Sequence, residues 1–153
     1  MLFRNAAKED VPLLMVMVND AIAHFRESNI DQWQCGYPNE EVLYEDINLG
    51  RLFVAESGGQ PVGMLAILTE PDPSYEKVWK GAWMNDLPYT SFHRVCVSFR
   101  HRGQGIAGEL FRGAQDWSME RGYTSFRVDT HEDNLPMQRC LEKAGYVRCG
   151  LIH

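Results

Sequence analysis

The run Arg100–Ala107, RHRGQGIA, constrains this chain more than any other segment. It follows Ser91–Val97, whose β-branched and aromatic residues are typical of a buried strand, and an amphipathic helical pattern begins at Ile106. Gly103 and Gly105 can adopt backbone conformations that other residues avoid, so consecutive N–H groups can point into one concavity. The sequence therefore predicts a strand-to-helix turn that binds an anion.

The beginning of the predicted helix adds to this site. The first N–H groups of a helix have no intrahelical acceptors and lie at the positive end of the helix dipole. Arg100, His101 and Arg102 bring side chains that carry or can carry positive charge to the same place. A phosphate group is the anion that such a turn suits.

The rest of the chain alternates strand and helix patterns, without repeats or low-complexity segments. Strands are predicted at 2–5, 51–56, 61–68, 91–97, 125–129 and 146–152, and helices at 10–25, 39–49, 106–121 and 134–144. The turn-rich residues 57–60 predict an antiparallel hairpin, and the later strand, helix, strand order predicts two parallel neighbours. Residues 69–90, with three prolines, are expected to form an irregular surface loop. The fold class is therefore α/β with a mixed, mainly antiparallel sheet.

Composition limits the size and the partners. A chain of 153 residues with 44% apolar content suits one domain, 1–153. Residues 1–90 hold 6 Lys and Arg against 14 Asp and Glu, whereas residues 91–153 hold 9 against 7. An acidic first half does not favour nucleic acid, which is bound by clustered cations. It suits a cationic second substrate, or it is a solvated acidic surface.

Compartment and metal content are also expectations from the sequence. The first residues, MLFRNAAKEDVPLL, lack the apolar core of a secretory leader, and the sequence has no 18-residue apolar run. We therefore expect a cytoplasmic protein that does not enter a membrane. The four cysteines have no zinc-like spacing, so we expect reduced thiols that serve mainly in packing, and no metal; they are Cys35, Cys96, Cys140 and Cys149.

Two sequence blocks carry a family resemblance. Arg100, Gly103 and Gly105 match an Arg/Gln-x-x-Gly-x-Gly/Ala signature, and Asn134–Tyr146 matches an Asn-initiated helix that ends in Glu-Lys-x-Gly-aromatic. With these blocks in order, the chain resembles the GNAT superfamily of acyl-CoA N-acyltransferases over almost its whole length. The resemblance implies a single α+β domain with about four helices, whose sheet is splayed at a central parallel strand pair.

The resemblance also implies acetyl-CoA as the acyl donor. Its pyrophosphate would rest on the turn, its pantetheine would lie between strands 91–97 and 125–129, and the Val97 N–H would polarise the acyl carbonyl. Asn134 would contact the pantetheine or position the thioester, or it simply caps its helix. The candidate cofactor residues are Val95, Val97, Arg100, Arg102, Gly103, Gln104, Gly105, Ile106, Ala107 and Asn134.

The sequence departs from the family in two places. Leu141 stands where many relatives carry a Tyr that protonates the departing thiolate, so water is the expected proton source. Cys140 and Tyr146 are substitutes in principle, although packing is the expected role of both. Relatives also commonly continue into one more hairpin arm beyond the position of His153, so we expect an open acceptor cleft or one closed by a second subunit, as in a homodimer.

The reaction requires a base and an acceptor pocket. His131 and His93 are the candidate bases, with Glu132 and Asp129 next, although either histidine could instead be a hydrogen-bonded structural residue. For the acceptor wall we select Trp33 and Tyr37, which could alternatively anchor a long loop on the core. Tyr75, Trp79 and Trp83 are candidates for the opposite wall.

The expected function is transfer of an acetyl group from acetyl-CoA to a primary amine of an unidentified small molecule or peptide, by direct attack in a ternary complex. The acyl-cysteine route through Cys96 or Cys140 is disfavoured because no motif places a base beside either thiol. A non-enzymatic acyl-CoA sensor, an enzyme for a longer acyl chain and a purely structural protein remain as alternatives.

Overall fold

The sheet and its helices follow the predicted order. The computed structural model describes residues 1–153. Its strands are β1 (Leu2–Asn5), β2 (Leu52–Ser57), β3 (Gln60–Leu68), β4 (Tyr89–Val97) and β5 (Ser125–Val128), and its helices are α1 (Val11–Glu27), α2 (Glu40–Asn48), α3 (Ile106–Glu120) and α4 (Leu135–Lys143). The strands form one sheet in the order β1-β2-β3-β4-β5, antiparallel except for the parallel β4–β5 pair. The predicted fold class is confirmed.

Local sequence signals set the helix ends. The side chains of Asn39 and Asn134 accept hydrogen bonds from N–H groups in the first turns of α2 and α4, at 3.0 and 3.2 Å. Gly122, with φ +90°, follows the end of α3 in the left-handed conformation that glycine adopts without strain. These signals lie in the sequence itself, so the predicted ends of all four helices are correct to within about two residues.

The core has two layers because helices cover both faces of the sheet. Val54 of β2 faces a cluster that includes Leu14 of α1 and Leu43 of α2, whereas the adjacent Phe53 faces Leu110 of α3. Neighbouring residues of β2 and β3 are therefore both buried, which explains why these strands are almost continuously apolar. Each such large side chain contributes about 1.5–3 kcal/mol through burial.

The parallel pairing with β5 covers only the first part of β4. Pairing runs from Tyr89 opposite Ser125 to Phe92 opposite Val128, whereas β4 continues to Val97. A β-bulge in β4 lies just beyond this point. His93 and Cys96 of β4 pair with Ala66 and Met64 of β3, so two residues of β4 lie opposite one residue of β3. The predicted splay of the parallel pair is present in the structure.

The predicted final strand over 146–152 is wrong. Only Leu151 pairs, in an isolated antiparallel bridge with Trp79, and residues 146–150 form no regular element. The Tyr146 ring instead packs 5.7 Å from the Phe111 ring, and its hydroxyl accepts a hydrogen bond from Gln115 of α3. The β-propensity of this segment does not produce a strand, because Tyr146 is anchored on α3. The residues after it then lie beside the 69–88 loop and do not pair with the edge of β5.

The 69–90 excursion is irregular up to residue 88, as predicted. It contains one 3-10 turn, Pro73–Tyr75, and its last two predicted residues belong to β4 instead. Its aromatic residues lie in different environments. The Tyr75 side chain is buried at 2% exposure, whereas the backbone of Trp79 forms the bridge with Leu151. The loop is therefore anchored on the core at Tyr75 and at its end by β4.

A close approach between α3 and β1 gives a stability prediction. A Cβ at Gly113 would lie 2.5 Å from two atoms of the Phe3 ring, which is stacked on Phe53. We expect Gly113→Ala to lower the free energy of unfolding by about 1–3 kcal/mol in urea titrations, because the ring must move. Gly108 of the same helix meets nothing within 4 Å. Gly108→Ala should therefore raise stability by about 0.5–1 kcal/mol, and equal effects of the two changes would contradict this packing argument.

Candidate active site

The turn before α3 presents a series of free backbone donors. Gly103 and Gly105 have φ +75° and +76°, so both occupy the left-handed region that the sequence pattern requires. The N–H groups from Arg102 to Gly108 have no acceptor within the protein, and Gly105 provides no side-chain cap. Together with the helix dipole, this arrangement attracts an anion.

Charge and open space surround these donors. The side chains of Arg100 and Arg102 are exposed, and the Arg102 guanidinium lies 4.4 Å from the centre of the Phe99 ring. A Cβ at Gly103 or Gly105 would meet nothing within 4 Å. No other side chain or backbone segment therefore covers the predicted anion-binding turn at these two glycines.

The end of β4 directs a backbone donor towards the splay. Ser98 N–H donates to Val62 O at 2.8 Å, on the β3 side of the strand. N–H groups alternate in direction along an extended strand, so the Val97 N–H points to the opposite side, on which β5 lies. No strand pairs with β4 there, because the β5 register ends at Phe92. Val97 therefore has the geometry of a donor to a bound ligand.

A cavity of about 1130 Å³ lies beside the carboxyl end of β5. It brings together both candidate bases and both candidate acceptor residues, which were predicted separately along the chain: Trp33, Tyr37, His93 and His131. Val95 and Asp129 also line it, whereas Val97, Asn134 and the turn residues do not. The anion-binding turn and the acceptor candidates are thus separate places, linked through β4.

His93 is held by a network that the sequence did not indicate. Its Nε2 lies 2.9 Å from Ser91 Oγ and 3.5 Å from Asp72 Oδ2, and its ring stacks on Tyr75 with 6.0 Å between centroids. A carboxylate accepts but does not donate, so this geometry favours the tautomer with the proton on Nε2. Burial lowers the pKa of His93, against the opposing effect of Asp129, and keeps the ring neutral.

Tyr75 and Asp129 form a second pair at this end of the sheet. The Tyr75 hydroxyl donates to Asp129 Oδ1 at 2.5 Å, and burial together with this carboxylate raises the pKa of Tyr75. Tyr75 is therefore a buried support and not the cavity wall that the sequence suggested. Of the three aromatic candidates for that wall, only Trp83 lines the cavity, and Trp79 does not.

His131 and Asn134 both have local structural partners. His131 Nδ1 accepts a hydrogen bond from Asp133 N–H at 3.1 Å, so in the neutral ring the proton lies on Nε2. Asn134 caps α4, as one of its two interpretations predicted, and its amide donates to Gln32 Oε1 at 3.0 Å. Gln32 has no sequence signal of its own, since it reaches Asn134 only through the fold.

The remaining candidates for acid or nucleophile are poorly suited to ionise. Burial raises the pKa of the Cys96 thiol to about 12, and the Sγ atom lies 3.5 Å from Met17 O. Burial also raises the pKa of Cys140 and brings that of Tyr146 to about 12. A thiolate at either cysteine is disfavoured, so the structure agrees with a packing role.

A match to a family model decides the affiliation of this chain. Residues 18–146 match the model described as the acetyltransferase (GNAT) family. The chain belongs to the GNAT family. A GNAT-family acetyltransferase from Streptococcus agalactiae, known from its crystal structure, superposes with a TM-score of 0.90 at 31% identity, covering 99% of this chain and 87% of that one. The expected family and fold are confirmed together.

Curated relatives match this chain over shorter segments. N-acetyltransferase 8F1 of Rattus norvegicus is 36% identical over 81 residues, which are 53% of this chain and 32% of the relative. Streptothricin acetyltransferase of Escherichia coli is 31% identical over 75 residues, 49% of this chain and 42% of the relative. The chain thus spans less than half the length of either curated relative. Membership of the GNAT family supports transferase activity.

None of the helices of this GNAT chain combines the length and apolarity needed to cross a bilayer. No three or more His, Cys, Asp or Glu side chains are grouped so that they could hold a metal ion.

The buried state of His93 predicts a pH effect on stability. Its pKa in the folded protein lies below the ordinary value of 6.5, so the unfolded chain binds this proton first as the pH falls. The protein therefore loses stability as the pH drops below about 6.5, until the lower pKa of the folded state is reached. Urea unfolding of His93→Gln should show a smaller loss between pH 7 and about pH 5.5 than the wild type. Parallel pH curves for the two proteins would contradict this origin.

Proposed function

We propose that this protein is an acetyl-CoA-dependent N-acetyltransferase that acts on a primary amine. The observation that carries the proposal is the series of N–H groups from Arg102 to Gly108, which have no acceptor in the protein and lie at the positive end of the α3 dipole. A diphosphate offers several acceptor oxygens at the spacing of consecutive amides. Membership of the GNAT family supports the same donor.

The donor would extend from this turn into the splay. Its pyrophosphate binds the N–H groups between Arg102 and Ala107, with the exposed guanidinium groups of Arg100 and Arg102 adding charge. Its pantetheine arm lies beside Val95 and Val97, where β4 has no strand partner on the β5 side. Asn134, which is 7% exposed, acts indirectly by holding α4 and Gln32 at the edge of this path.

His93 is the base that the geometry favours. Its Nε2 is held by Ser91 and Asp72, which leaves Nδ1 as the nitrogen that can accept a proton. A proton taken by Nδ1 would create an imidazolium that the Asp72 carboxylate stabilises. In His131 the basic Nδ1 already accepts the Asp133 N–H, so His131 serves better as a donor to the substrate.

The reaction needs no covalent intermediate on the protein. The amine nitrogen attacks the thioester carbonyl, the new oxyanion accepts the Val97 N–H, and the amine proton passes to His93 directly or through water. The C–S bond then breaks, and the coenzyme A thiolate leaves and takes a proton from water. Leu141 provides no acid, but a thiolate is a good leaving group and requires little assistance.

The acceptor would enter through the 1130 Å³ cavity. Trp33 and Tyr37 form one wall, and Trp83 stands on the opposite side with Arg127 over its ring at 4.3 Å. Trp33 also packs edge-on against Phe25 at 5.8 Å, so it both anchors its loop and faces the cavity. Aromatic walls beside Asp129 suit a cationic amine, in agreement with the acidic first half of the chain.

A second candidate is an acyl-CoA sensor without turnover. It is favoured by Leu141, which leaves no side-chain acid for the thiolate. Both candidates require the same donor site, and they differ only in whether an amine accelerates thiol release. A screen of primary amines with a thiol-reactive dye separates them.

Binding of acetyl-CoA can be tested with substitutions of two glycines that both have positive φ, so that a Cβ strains the backbone similarly at each. Gly105→Ala should weaken acetyl-CoA binding at least tenfold in calorimetry, because the left-handed turn that aligns the N–H groups is strained by a Cβ. Gly122→Ala is the matched control, since Gly122 has φ +90°, equally open space and a position at the far end of α3. Both variants should lose about 1–2 kcal/mol of stability. Equal affinities for the two variants, or no binding to the wild type, would refute the donor site.

The base can be tested by comparing the two histidines. With an amine that supports turnover, His93→Gln should lower kcat/KM by about 10²–10⁴-fold, the range typical of a lost general base. Its affinity for acetyl-CoA should stay within about threefold, because His93 lies outside the turn. His131→Gln should cause a smaller loss, and the reverse order would assign the base to His131.

A further inference from the structure

A buried cluster of charges lies beneath the bulge of β4. Asp46 of α2 is fully buried, and it contacts two guanidinium groups. Arg94 binds it at two points, with Nε 2.6 Å from Oδ2 and Nη2 3.0 Å from Oδ1. Arg51 adds a single contact from Nε to Oδ1 at 2.6 Å. The remaining donor of Arg94, Nη1, reaches the Tyr37 hydroxyl at 2.6 Å.

Arg94 is also the residue that adopts the unusual backbone conformation of the bulge. Its φ is +54°, the left-handed region that residues with a Cβ rarely occupy. The side chain of Arg94 is 8% exposed, so the guanidinium is withdrawn from water and depends on Asp46 for its charge partner. A strained backbone conformation persists only where the surrounding structure determines it, and here the two-point contact to Asp46 does so.

The consequence of this conformation reaches the proposed reaction. The bulge lies between His93 and Cys96 in the register with β3. Val95 lies within the bulge, which therefore separates the part of β4 that pairs with β5 from the part that carries Val97. The rotation of the backbone at Arg94 decides the direction in which the later N–H groups point.

We propose that Asp46 and Arg94 are a positioning pair that holds the β4 bulge and so aims the N–H groups of Val95 and Val97 at the acyl donor. Through Nη1 the same guanidinium also sets the position of Tyr37 at the acceptor wall. This inference rests on the proposed function for its role in the reaction, whereas its geometric part concerns the protein alone. Neither residue contacts the reacting atoms.

The test compares two arginines that share one carboxylate. Arg94→Gln and Arg51→Gln each remove one guanidinium from Asp46, but only the first lies in the bulge. In the ¹⁵N-labelled free protein, Arg94→Gln should shift the Val95 and Val97 amide signals and accelerate their hydrogen exchange. Arg51→Gln should leave both signals near their wild-type positions. If Arg94→Gln does not fold, Arg94→Lys, which keeps one charge and loses the two-point contact, is measured in its place.

Acetyl-CoA then separates this inference from the proposed function. In Arg94→Gln the Gly103 and Gly105 signals should still respond to acetyl-CoA with an affinity within about threefold of the wild type, while kcat falls by about 10–100-fold. A general loss of stability would weaken acetyl-CoA binding as well, so a lowered kcat at wild-type affinity indicates a positioning role. If acetyl-CoA does not shift the Gly103 and Gly105 signals of the wild type, the proposed function is refuted. The comparison of the two glutamine variants without acetyl-CoA then still decides whether Asp46 and Arg94 hold the bulge. Val95 and Val97 signals that match in the two glutamine variants would overturn the positioning pair.

Discussion

The end of hydrogen bonding between β4 and β5 is the constraint on which the rest of this structure depends. Pairing stops at Phe92 and Val128, yet β4 continues to Val97. Backbone groups in the middle of a sheet are normally paired, and leaving them free is costly unless a ligand or water takes the place of the strand. The bulge at Arg94 lies just beyond the last β4–β5 pair, and side chains of α3 and α4 pack in the same core cluster on one face of the sheet. The gap between these two strands is thus the place that we propose for the reaction.

The two ends of this opening differ in their chemistry. The turn before α3 presents free N–H groups, the helix dipole and the exposed Arg100 and Arg102, all of which favour an anion. The cavity at the end of β5 instead has aromatic walls and charged side chains of both signs, among them Asp129 and Arg127. β4 joins the two places through the short stretch from His93 to Val97. A single strand therefore carries the proposed base, the bulge and the proposed oxyanion donor.

Prediction from the sequence succeeded where the signal is local. The glycine turn has the left-handed conformations that its pattern required, and Asn39 and Asn134 cap their helices, because each of these features involves residues within a few positions of one another. The final strand failed for the opposite reason. The 146–152 segment has strand-like residues, but a strand also needs an edge to pair with, and Gln115 and Phe111 hold Tyr146 on α3. The cavity gathered Trp33, Tyr37, His93 and His131 as expected, whereas their catalytic and binding roles stay predictions.

The sequence by itself determined the family, the order of the elements and the anion-binding turn, since these are encoded in short motifs and in hydrophobic periodicity. Only the tertiary structure decided the partners of the charged and polar side chains. Asp46 meets Arg94 across 48 positions, and Tyr75 meets Asp129 across 54. Such contacts depend on how helices and loops are placed on the sheet, and no local pattern of residues specifies them. For this reason the contacts that favour one tautomer of His93, and those from which we infer the support of the bulge, could be identified only in the folded chain.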